Sequence, residues 1–570
     1  MKLKLFSIIR HPALCALLVL VALMACKDEK KTTEPEPETE TEMTEPSDKD
    51  IHVAFAGGGW RAHTGHSGWI LALLQNGSLN LGEAFKNVGT IGSNSGGTWF
   101  STMLTLSDTF VSDIQKAGAI TTWGQTGWLG MQHELFKNTK ACDHFYDDWY
   151  GYTLCVLDAN DNESRDWVSI VEDIVYKGYS LNGATLSGPR AGWAKDKTLL
   201  AAGSMLTSNV LLNSYGENFR YERDKYQYYQ ACLNPGSPDM GGLRLAATCD
   251  NNPVRYSEVM PVIFSGLPSG STDTAPAFLP VLESGGYFNI GYSEVIAAFP
   301  TEKDTTITNP SDNDQVLAVH ASAASSAALG FMAYVRQYDL KWWWDDAHWL
   351  RKLAPSFSLN GSVKFEPADS LTVDQLASKK MVRIADGGPV DNSGVAQIVK
   401  YLQLNGNGPG NGFDIVAFDN VTSAYDPGSG AKVGVDIANL FGQGLCNEGT
   451  EFCVEGCSIL EQVLGCVYVP EIQIFDEGAL SSTPHTWHVS DGNMEIIYTQ
   501  YKVTTVANSN FGIAPNTTGT LHSFTCVAPD AGTVPTDSEF TGYYDMLNFI
   551  YTQASTGEGL THLKNAFGLK

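Results

Sequence analysis

Three stretches of the chain repeat one pattern, in which a short apolar run ends at a glycine-rich turn and leads into a segment of helical periodicity. The apolar runs span residues 51–56, 88–91 and 381–385, and the helical segments that follow end near 75, 104 and 401. Apolar runs of this length bounded by turn residues are typical of buried strands. The pattern therefore predicts three strand–turn–helix units. A further apolar run at 262–264 predicts another buried strand, and the small-residue run 321–330 is expected to help complete the sheet.

The composition is that of a large globular protein. The chain has 570 residues, of which 43% are hydrophobic, and this is ample material for a core. Its 63 acidic residues outnumber its 36 basic ones, giving a formal net charge of -27. Because nucleic-acid binding depends on a basic surface that displaces phosphate counterions, this charge argues against a nucleic-acid partner.

The first residues have the pattern of an export signal. A short basic start precedes an apolar run over 13–25 that ends at Cys26, and this run is too short to cross a bilayer of about 30 Å as a helix. The segment 23–26 (LMAC) resembles the lipobox of bacterial lipoproteins. The resemblance implies that residues 1–25 are a signal peptide and that Cys26 becomes a lipid anchor. An ordinary cleaved signal, with Cys26 incidental, is the alternative.

The segment after Cys26 is acidic and rich in proline and threonine. Residues 27–50 contain no aliphatic or aromatic residue except Met43, so they cannot bury enough surface to fold. We therefore expect residues 26–50 to be a lipidated, disordered tether. Lys27 stands where an aspartate would resemble an inner-membrane retention signal. The resemblance accordingly implies the outer membrane of a bacterial cell envelope, on either its periplasmic or its surface face.

The cysteines beyond Cys26 are odd in number, so at least one is unpaired. They are Cys142, Cys155, Cys232, Cys249, Cys446, Cys453, Cys457, Cys466 and Cys526. None forms the C-x-x-C pairs of a zinc site, and export favours disulfides. Cys142/Cys155 and Cys232/Cys249 are the plausible local pairs.

A glycine turn follows the first predicted strand. Gly57, Gly58 and Gly59 let the chain bend sharply and present backbone N–H groups at the start of a helix, where an anion or an oxyanion is stabilised. Neither a G-x-G-x-x-G pattern nor a G-K-[ST] ending is present, so the turn does not indicate a nucleotide site. A plain turn is the alternative reading of the triplet.

The second predicted strand runs into a serine flanked by small residues. In the segment 92–97 (GSNSGG), Ser95 has Ser93 two positions before it and Gly97 two positions after it. A nucleophile elbow needs small residues at these positions because the chain crosses itself closely there. The alternative is a plain Gly/Ser-rich loop. The upstream glycine turn favours the elbow, since a serine nucleophile needs an oxyanion hole from a neighbouring strand end.

Together, the segments 57–62 (GGGWRA) and 95–102 (SGGTWFST) closely resemble the catalytic domain of cytosolic phospholipase A and fungal lysophospholipase B, distant relatives of the patatins. The resemblance implies a three-layer α/β/α fold around a mixed sheet, with long insertions. It also implies that Ser95 attacks the ester, that Gly57, Gly58 and Gly59 form the oxyanion hole, and that Arg61 faces the substrate phosphate. One position departs from the family pattern, because Ser93 replaces a glycine.

The family has no catalytic histidine and uses an aspartate that closes a distant strand. Here Asp386 follows a β run and enters the turn Gly387-Gly388, so the resemblance implies that Asp386 is the base. Asp-Gly is also a common turn pair, and Asp391 is the runner-up. The run 413–419 resembles the next family strand. The implied chemistry is acyl transfer to Ser95, with Asp386 taking the hydroxyl proton and later activating water.

Two other arrangements compete with this dyad. A Ser–Asp–His triad is formally met by Ser95, Asp386 and one of four later histidines, namely His485, His488, His522 and His562. On the first predicted helix, His63 and His66 are spaced to face one way as metal ligands do, although no third ligand is suggested and packing or substrate contact is preferred. A tryptophan cluster at 342–344 and 349 is expected in a core, with an interfacial lid as the alternative.

These features predict an enzyme with one catalytic domain over residues 51–570. The expected substrate is a phospholipid or lysophospholipid, the expected membrane attachment is the lipid on Cys26, and the resemblance implies no cofactor and no metal. An acyltransferase, an esterase of other substrates and a non-catalytic lipid-binding lipoprotein remain as alternatives.

Overall fold

A computed structural model describes most of the chain from Ile51 onwards. The described residues are 51–74, 78–116, 119–138, 167–181, 183–206, 259–273, 294–296, 317–328, 330, 354–358, 365–366, 381–406, 412–427, 432–443, 451–452, 467–468, 472–508, 511–532 and 537–569.

The described part is built around one mixed sheet of 12 strands. The strands of this sheet are β1 (Ile51–Phe55), β2 (Val88–Ser93), β3 (Thr198–Leu206), β4 (Val259–Gly266), β5 (Glu294–Ile296), β6 (Ser356–Ser358), β7 (Phe365–Glu366), β8 (Met381–Asp386), β9 (Asp414–Val421), β14 (Trp487–Asp491), β15 (Met494–Thr504) and β16 (Thr518–Val527). The order across the sheet is β14-β15-β16-β9-β1-β2-β3-β8-β6-β7; β4 also pairs with β3, and β5 pairs with β4. Two short hairpins pair β10 (Ala424–Tyr425) with β11 (Val433–Gly434) and β12 (Glu451–Phe452) with β13 (Val467–Tyr468).

The third strand is shared in a way that brings two distant segments together. Strand β4 pairs along Leu199–Leu206 of β3, so β2 and β8 must both lie on the other edge. On that edge β2 runs parallel to β3 and reaches Ala201, whereas β8 runs antiparallel and reaches Gly203. The carboxyl ends of β2 and β8 therefore meet beside β3, and the turns that follow them occupy one place.

Helices cover both faces of the sheet. The helices are α1 (Gly59–Leu74), α2 (Leu81–Ala84), α3 (Ser95–Leu106), α4 (Asp108–Ile114), α5 (Ala119–Gln125), α6 (Trp128–Asn138), α7 (Trp167–Val171), α8 (Ala318–Ser325), α9 (Gly388–Asp391), α10 (Val395–Leu404), α11 (Val435–Asn439), α12 (Gly478–Ser482), α13 (Asp537–Ala554) and α14 (Gly557–Ala566). A π-helical turn at Glu172–Tyr176 and two 3-10 turns, Lys177–Tyr179 and Gly192–Ala194, complete the helical segments.

Two apolar cores lie on opposite faces because side chains alternate along each strand. Val53 and Phe55 of β1 pack in one core with α1, α3, α13 and α14, while Ala54 packs in the other with α10 and α11. The same alternation holds in β9, where Phe418 lies in the first core and Ala417 in the second. This arrangement confirms the predicted α/β class with a mixed central sheet between two helical layers.

Several sequence predictions concern residues outside the described part. These are the signal peptide 1–25, the anchor Cys26, the tether, the tryptophan cluster and all the cysteines of the proposed disulfides. Cys526 is described, and it is buried and unpaired. No helix in the described ranges has the length and apolarity needed to cross a membrane.

Candidate active site

Ser95 stands at a strained turn between β2 and α3. Its backbone φ is 47°, in the left-handed region that a serine rarely adopts, and α3 begins at this residue. This is the geometry expected of a nucleophile elbow. The departure at Ser93 is accommodated, since its hydroxyl donates to the Leu200 carbonyl at 3.1 Å and accepts from Ser101 at 2.8 Å.

The glycines of the elbow are required by close packing against the glycine turn. A Cβ on Gly96 would overlap the carbonyl oxygen of Gly59, and a Cβ on Gly97 would overlap that of Phe55. A Cβ on Gly57 would in turn lie 2.9 Å from Cβ of Ser95. The elbow and the glycine turn therefore touch through their backbones, which only glycine allows.

The structure brings Ser95 and Asp386 into contact at the meeting point of β2 and β8. The Ser95 hydroxyl donates to Oδ2 of Asp386 at 3.1 Å. The other carboxylate oxygen, Oδ1, accepts from the Gly388 amide at 2.7 Å and from the Asn94 side chain at 3.4 Å. Both Ser95 and Asp386 are 7% exposed, so the pair is nearly dry but can be reached from outside.

Burial changes the acidity of Asp386. Desolvation raises the pKa of this carboxyl from 3.8 to about 6, against the opposing effect of hydrogen bonds from Gly388, Ser95 and Asn94. A carboxylate with a pKa near 6 is a stronger base than an ordinary aspartate and is still ionised at neutral pH. The Ser95 hydroxyl is therefore hydrogen-bonded to a carboxylate with a raised proton affinity.

The glycine turn presents free amides beside this pair. Gly58 and Gly59 have φ values of 128° and 56°, and the amides of Gly58, Gly59 and Gly96 have no acceptor among the described residues. Gly57 differs, because its amide donates to the carbonyl of Asn392 at 2.8 Å. Gly58 is also partly exposed, whereas Gly59 and Gly96 are buried.

Arg61 lies at the same opening. A Cβ on Gly58 would lie 3.0 Å from Nη2 of Arg61, and Nε of Arg61 donates to the Asn420 carbonyl at 2.8 Å. The charge of Arg61 lowers the pKa values of Asp419 and Asp436, opposing the desolvation that raises both. The guanidinium therefore lies beside the glycine turn and acts on these two carboxyls through its charge, and Arg61 is partly exposed.

Asp391, the runner-up for the base, has a different place. It is 1% exposed, and its carboxylate accepts from the amides of Ser393, Gly394 and Ala396. These are the groups at the start of α10, so Asp391 caps that helix and holds the turn after Asp386.

The four histidines of the alternative triad lie away from the dyad. His485 contacts the Lys432 carbonyl, His488 contacts Glu495, His522 contacts the Tyr498 hydroxyl and His562 contacts Glu558. The hydrogen-bond partners of Ser95 and Asp386 include none of these four side chains. The described residues therefore do not form a Ser–Asp–His triad.

The two histidines of α1 pack in the interior. The ring of His63 stacks on Trp128 with ring centroids 3.6 Å apart. His66 contacts the Ala56 carbonyl through Nε2 at 2.8 Å and accepts from Asn420 through Nδ1 at 3.1 Å. Desolvation lowers the pKa of His66 to about 3, so it is neutral, and it anchors the end of β1 just before the glycine turn.

Three polar residues of this site carry no motif signal. Asn94 donates to Asp386, the Asn392 carbonyl holds the Gly57 amide, and Ser325 accepts the amide of Ser95 at 2.9 Å. Each lies in a segment that the sequence pattern marks, namely the elbow, the segment after Asp386 and the small-residue run. Their individual roles depend on contacts between segments far apart in the chain, so no local pattern identifies them.

No protein-family model and no curated protein sequence matches the chain. Among solved structures, human GIVD cytosolic phospholipase A2 is similar, with 12% sequence identity and a TM-score of 0.35. The alignment covers 91% of this chain and 62% of that one, so the chain spans less than two thirds of that protein's length.

Proposed function

We propose that this protein is a serine acyl hydrolase that releases fatty acid from phospholipids or lysophospholipids. The observation that carries the proposal is the 3.1 Å hydrogen bond from the Ser95 hydroxyl to Asp386, beside amides that have no acceptor in the described part of the chain. A strained nucleophile, a dry carboxylate and free N–H groups are the components that acyl transfer needs.

In the proposed mechanism Asp386 takes the hydroxyl proton as Ser95 attacks the ester carbonyl. The amides of Gly58, Gly59 and Gly96 stabilise the oxyanion, while Gly57 supports the turn because its own amide is occupied. Asp386 then gives the proton to the leaving alcohol and later activates water to release the acid. In this proposal Arg61, which lies beside Gly58, holds the phosphate of the substrate.

The test is fatty-acid release from lysophospholipid and diacyl phospholipid micelles by the full chain, in the presence of a chelator. We expect release by the wild type and loss of release in Ser95→Ala and Asp386→Asn. Asp414→Asn is the matched control. It also removes one carboxylate, but at the start of β9, on the edge of the sheet opposite to Ser95 and Asp386. A folded wild type that hydrolyses simple esters but no phospholipid would refute the proposed substrate class.

The membrane attachment stays a separate proposal. We infer from the lipobox resemblance that Cys26 is acylated and holds the enzyme at the outer membrane, close to its substrate. Metabolic labelling with a fatty-acid analogue tests this, since labelling should occur in the wild type and disappear in Cys26→Ser.

A further inference from the structure

A chain of four hydrogen bonds runs from the amide of Ser95 to a carboxylate on α11. The Ser95 amide donates to the Ser325 hydroxyl at 2.9 Å, and that hydroxyl donates to Oδ1 of Asn94 at 3.2 Å. Nδ2 of Asn94 donates to Oδ1 of Asn392 at 2.7 Å, and Nδ2 of Asn392 donates to Asp436 at 2.6 Å. Every member between the two ends both accepts and donates, and all the donors point the same way.

The two ends determine the direction of this chain. A backbone N–H only donates and an ionised carboxylate only accepts, so neither amide side chain can be turned round without placing like groups together. Hydrogen bonds aligned in this way strengthen one another in a dry site. The short bond to Asp436 is the charge-assisted one.

The neighbouring carboxyl Asp419 supports an ionised Asp436. Asp419 is 0% exposed, and neither of its oxygens has a close hydrogen-bond partner among the described residues. Asp436 is partly exposed, accepts from Asn392 and is favoured by Arg61. Two adjacent carboxyls do not both ionise readily, so Asp419, the more deeply buried of the two, is the member that keeps its proton.

Asn392 is the member of the chain that joins the catalytic parts. Its side chain accepts a hydrogen bond from Asn94, the residue before Ser95, whose side chain also donates to Asp386. Its backbone carbonyl accepts from the amide of Gly57. A Cβ on Gly57 would overlap Oδ1 of Asn392, so the glycine turn also packs directly on this side chain. Asn392 thus contacts both the Ser95 elbow and the glycine turn.

We propose that Asn392, oriented by Asp436, is a positioning residue that fixes the position of the Ser95 elbow relative to the glycine turn. This inference rests on the proposed function, since it assigns a role in preparing Ser95 for attack. It is tested first with a serine-directed fluorophosphonate, because that probe reports the reactivity of Ser95 whether or not a phospholipid is the substrate.

The variants distinguish hydrogen-bond direction from packing. Asn392→Asp places two carboxylates together, and Asn392→Leu removes the bonds without adding charge. We expect each to slow labelling of Ser95 by about 10- to 100-fold, the usual effect of a misplaced reacting group. Asp436→Asn keeps an acceptor oxygen for Asn392 but no longer fixes the direction of that side chain, so labelling should fall by less than about tenfold, a smaller loss than in either Asn392 variant.

The double variant Asn392→Asp/Asp436→Asn provides the rescue. The new amide at position 436 can then donate to the new carboxylate at position 392, and that carboxylate can still accept from Asn94. Labelling should therefore recover to within about tenfold of the wild type. The negative charge also moves closer to Asp386, so the acid limb of the labelling rate should shift to higher pH. Recovery of thermal stability alone would not move that limb.

Charged groups on three neighbouring elements bear on such a shift. Asp436 on α11 acts on the pKa of Asp386, and Arg61 on α1 and Asp419 on β9 act on Asp436. On α8, which also packs on β8, desolvation lowers the pKa of His320 to about 4, so it stays neutral around pH 6, where Asp386 titrates. The single variant Asp436→Asn reports the effect of losing the charge at position 436 by itself.

The outcomes separate the two proposals. Folded Asn392 variants that label as fast as the wild type, or a double variant that labels no faster than Asn392→Asp, would overturn the positioning role. Labelling that follows the expected order without any phospholipid turnover would support positioning and refute the proposed substrate. A wild type that neither labels nor hydrolyses esters would overturn both.

Discussion

Replacing Asp386 by asparagine is expected to stabilise the fold above pH 6 while it abolishes turnover. Asparagine has the same shape, can still accept from the Gly388 amide and can donate to the Ser95 hydroxyl. It lacks the buried charge. Because desolvation raises the pKa of Asp386 from 3.8 to about 6, the folded wild type holds a proton more tightly than the unfolded chain does.

The magnitude follows from that shift. A difference of about two pKa units corresponds to about 3 kcal/mol of folding free energy. Because Asp386 binds its proton more tightly in the folded state than in the unfolded chain, the free energy of unfolding of the wild type falls as the pH rises from about 4 to about 6 and stays lower above that range. The roughly 310 residues that the structure describes, unfolding together, have an unfolding entropy near 0.65 kcal/mol/K, so the expected rise in Tm is about 4–5 °C.

The assay is a set of thermal melts of wild type and Asp386→Asn at pH 4, 6 and 7.5. The variant should melt higher at pH 7.5, and the difference should shrink towards zero at pH 4. Ser95→Ala is the control with the opposite sign. The Ser95 hydroxyl lowers the pKa of Asp386, so this variant should melt lower than the wild type at pH 7.5, and the difference should shrink towards pH 4. The reasoning would be refuted if Asp386→Asn melted no higher than the wild type at pH 7.5, or if it melted higher by the same margin at every pH.

Three further expectations concern rate and packing. The rate of ester hydrolysis should fall about tenfold per unit below pH 6, because burial raises the pKa of the base Asp386 to about 6; initial rates from pH 4.5 to 8 check this, and a limb near pH 4 would contradict it. Gly96→Ala should lower Ser95 labelling by about 100-fold or more, since its Cβ meets the Gly59 backbone, whereas Gly192→Ala, with open space around it, should label normally. Ser93→Gly should lower the free energy of unfolding by about 1–3 kcal/mol because it removes a paired buried hydroxyl; denaturant titration measures this, and an unchanged midpoint would contradict it.

Local sequence pattern was sufficient for the elements around the site. The apolar runs at 51–56, 88–91 and 381–385 correspond to β1, β2 and β8, and the segments after them to helices or turns. The reason is physical, since a strand buried between two helical layers must be apolar on both faces and ends where turn residues begin. The same locality explains Ser95, because a strained elbow requires small neighbours that are visible in the sequence.

Contacts between distant segments were beyond such patterns. The occupied amide of Gly57 and the cap role of Asp391 depend on where the turn after β8 lies. Asn392 and Ser325 are ordinary polar residues in sequence, and they gain their roles only from the elements that fold against them. Hydrogen-bond partners across a fold are set by packing, which leaves no spacing rule in the chain.

The sequence by itself determined the strand–turn–helix units, the α/β class and the two candidate residues Ser95 and Asp386. Apolar runs, glycine turns and the small residues around Ser95 are local chemistry, whereas the α/β class and Asp386 came from the resemblance of the motifs to a known family. Only the tertiary structure decided that these two side chains touch, because β2 and β8 end against each other beside β3. It also decided which amides stay free, since a backbone N–H is available only where folding leaves it without an acceptor.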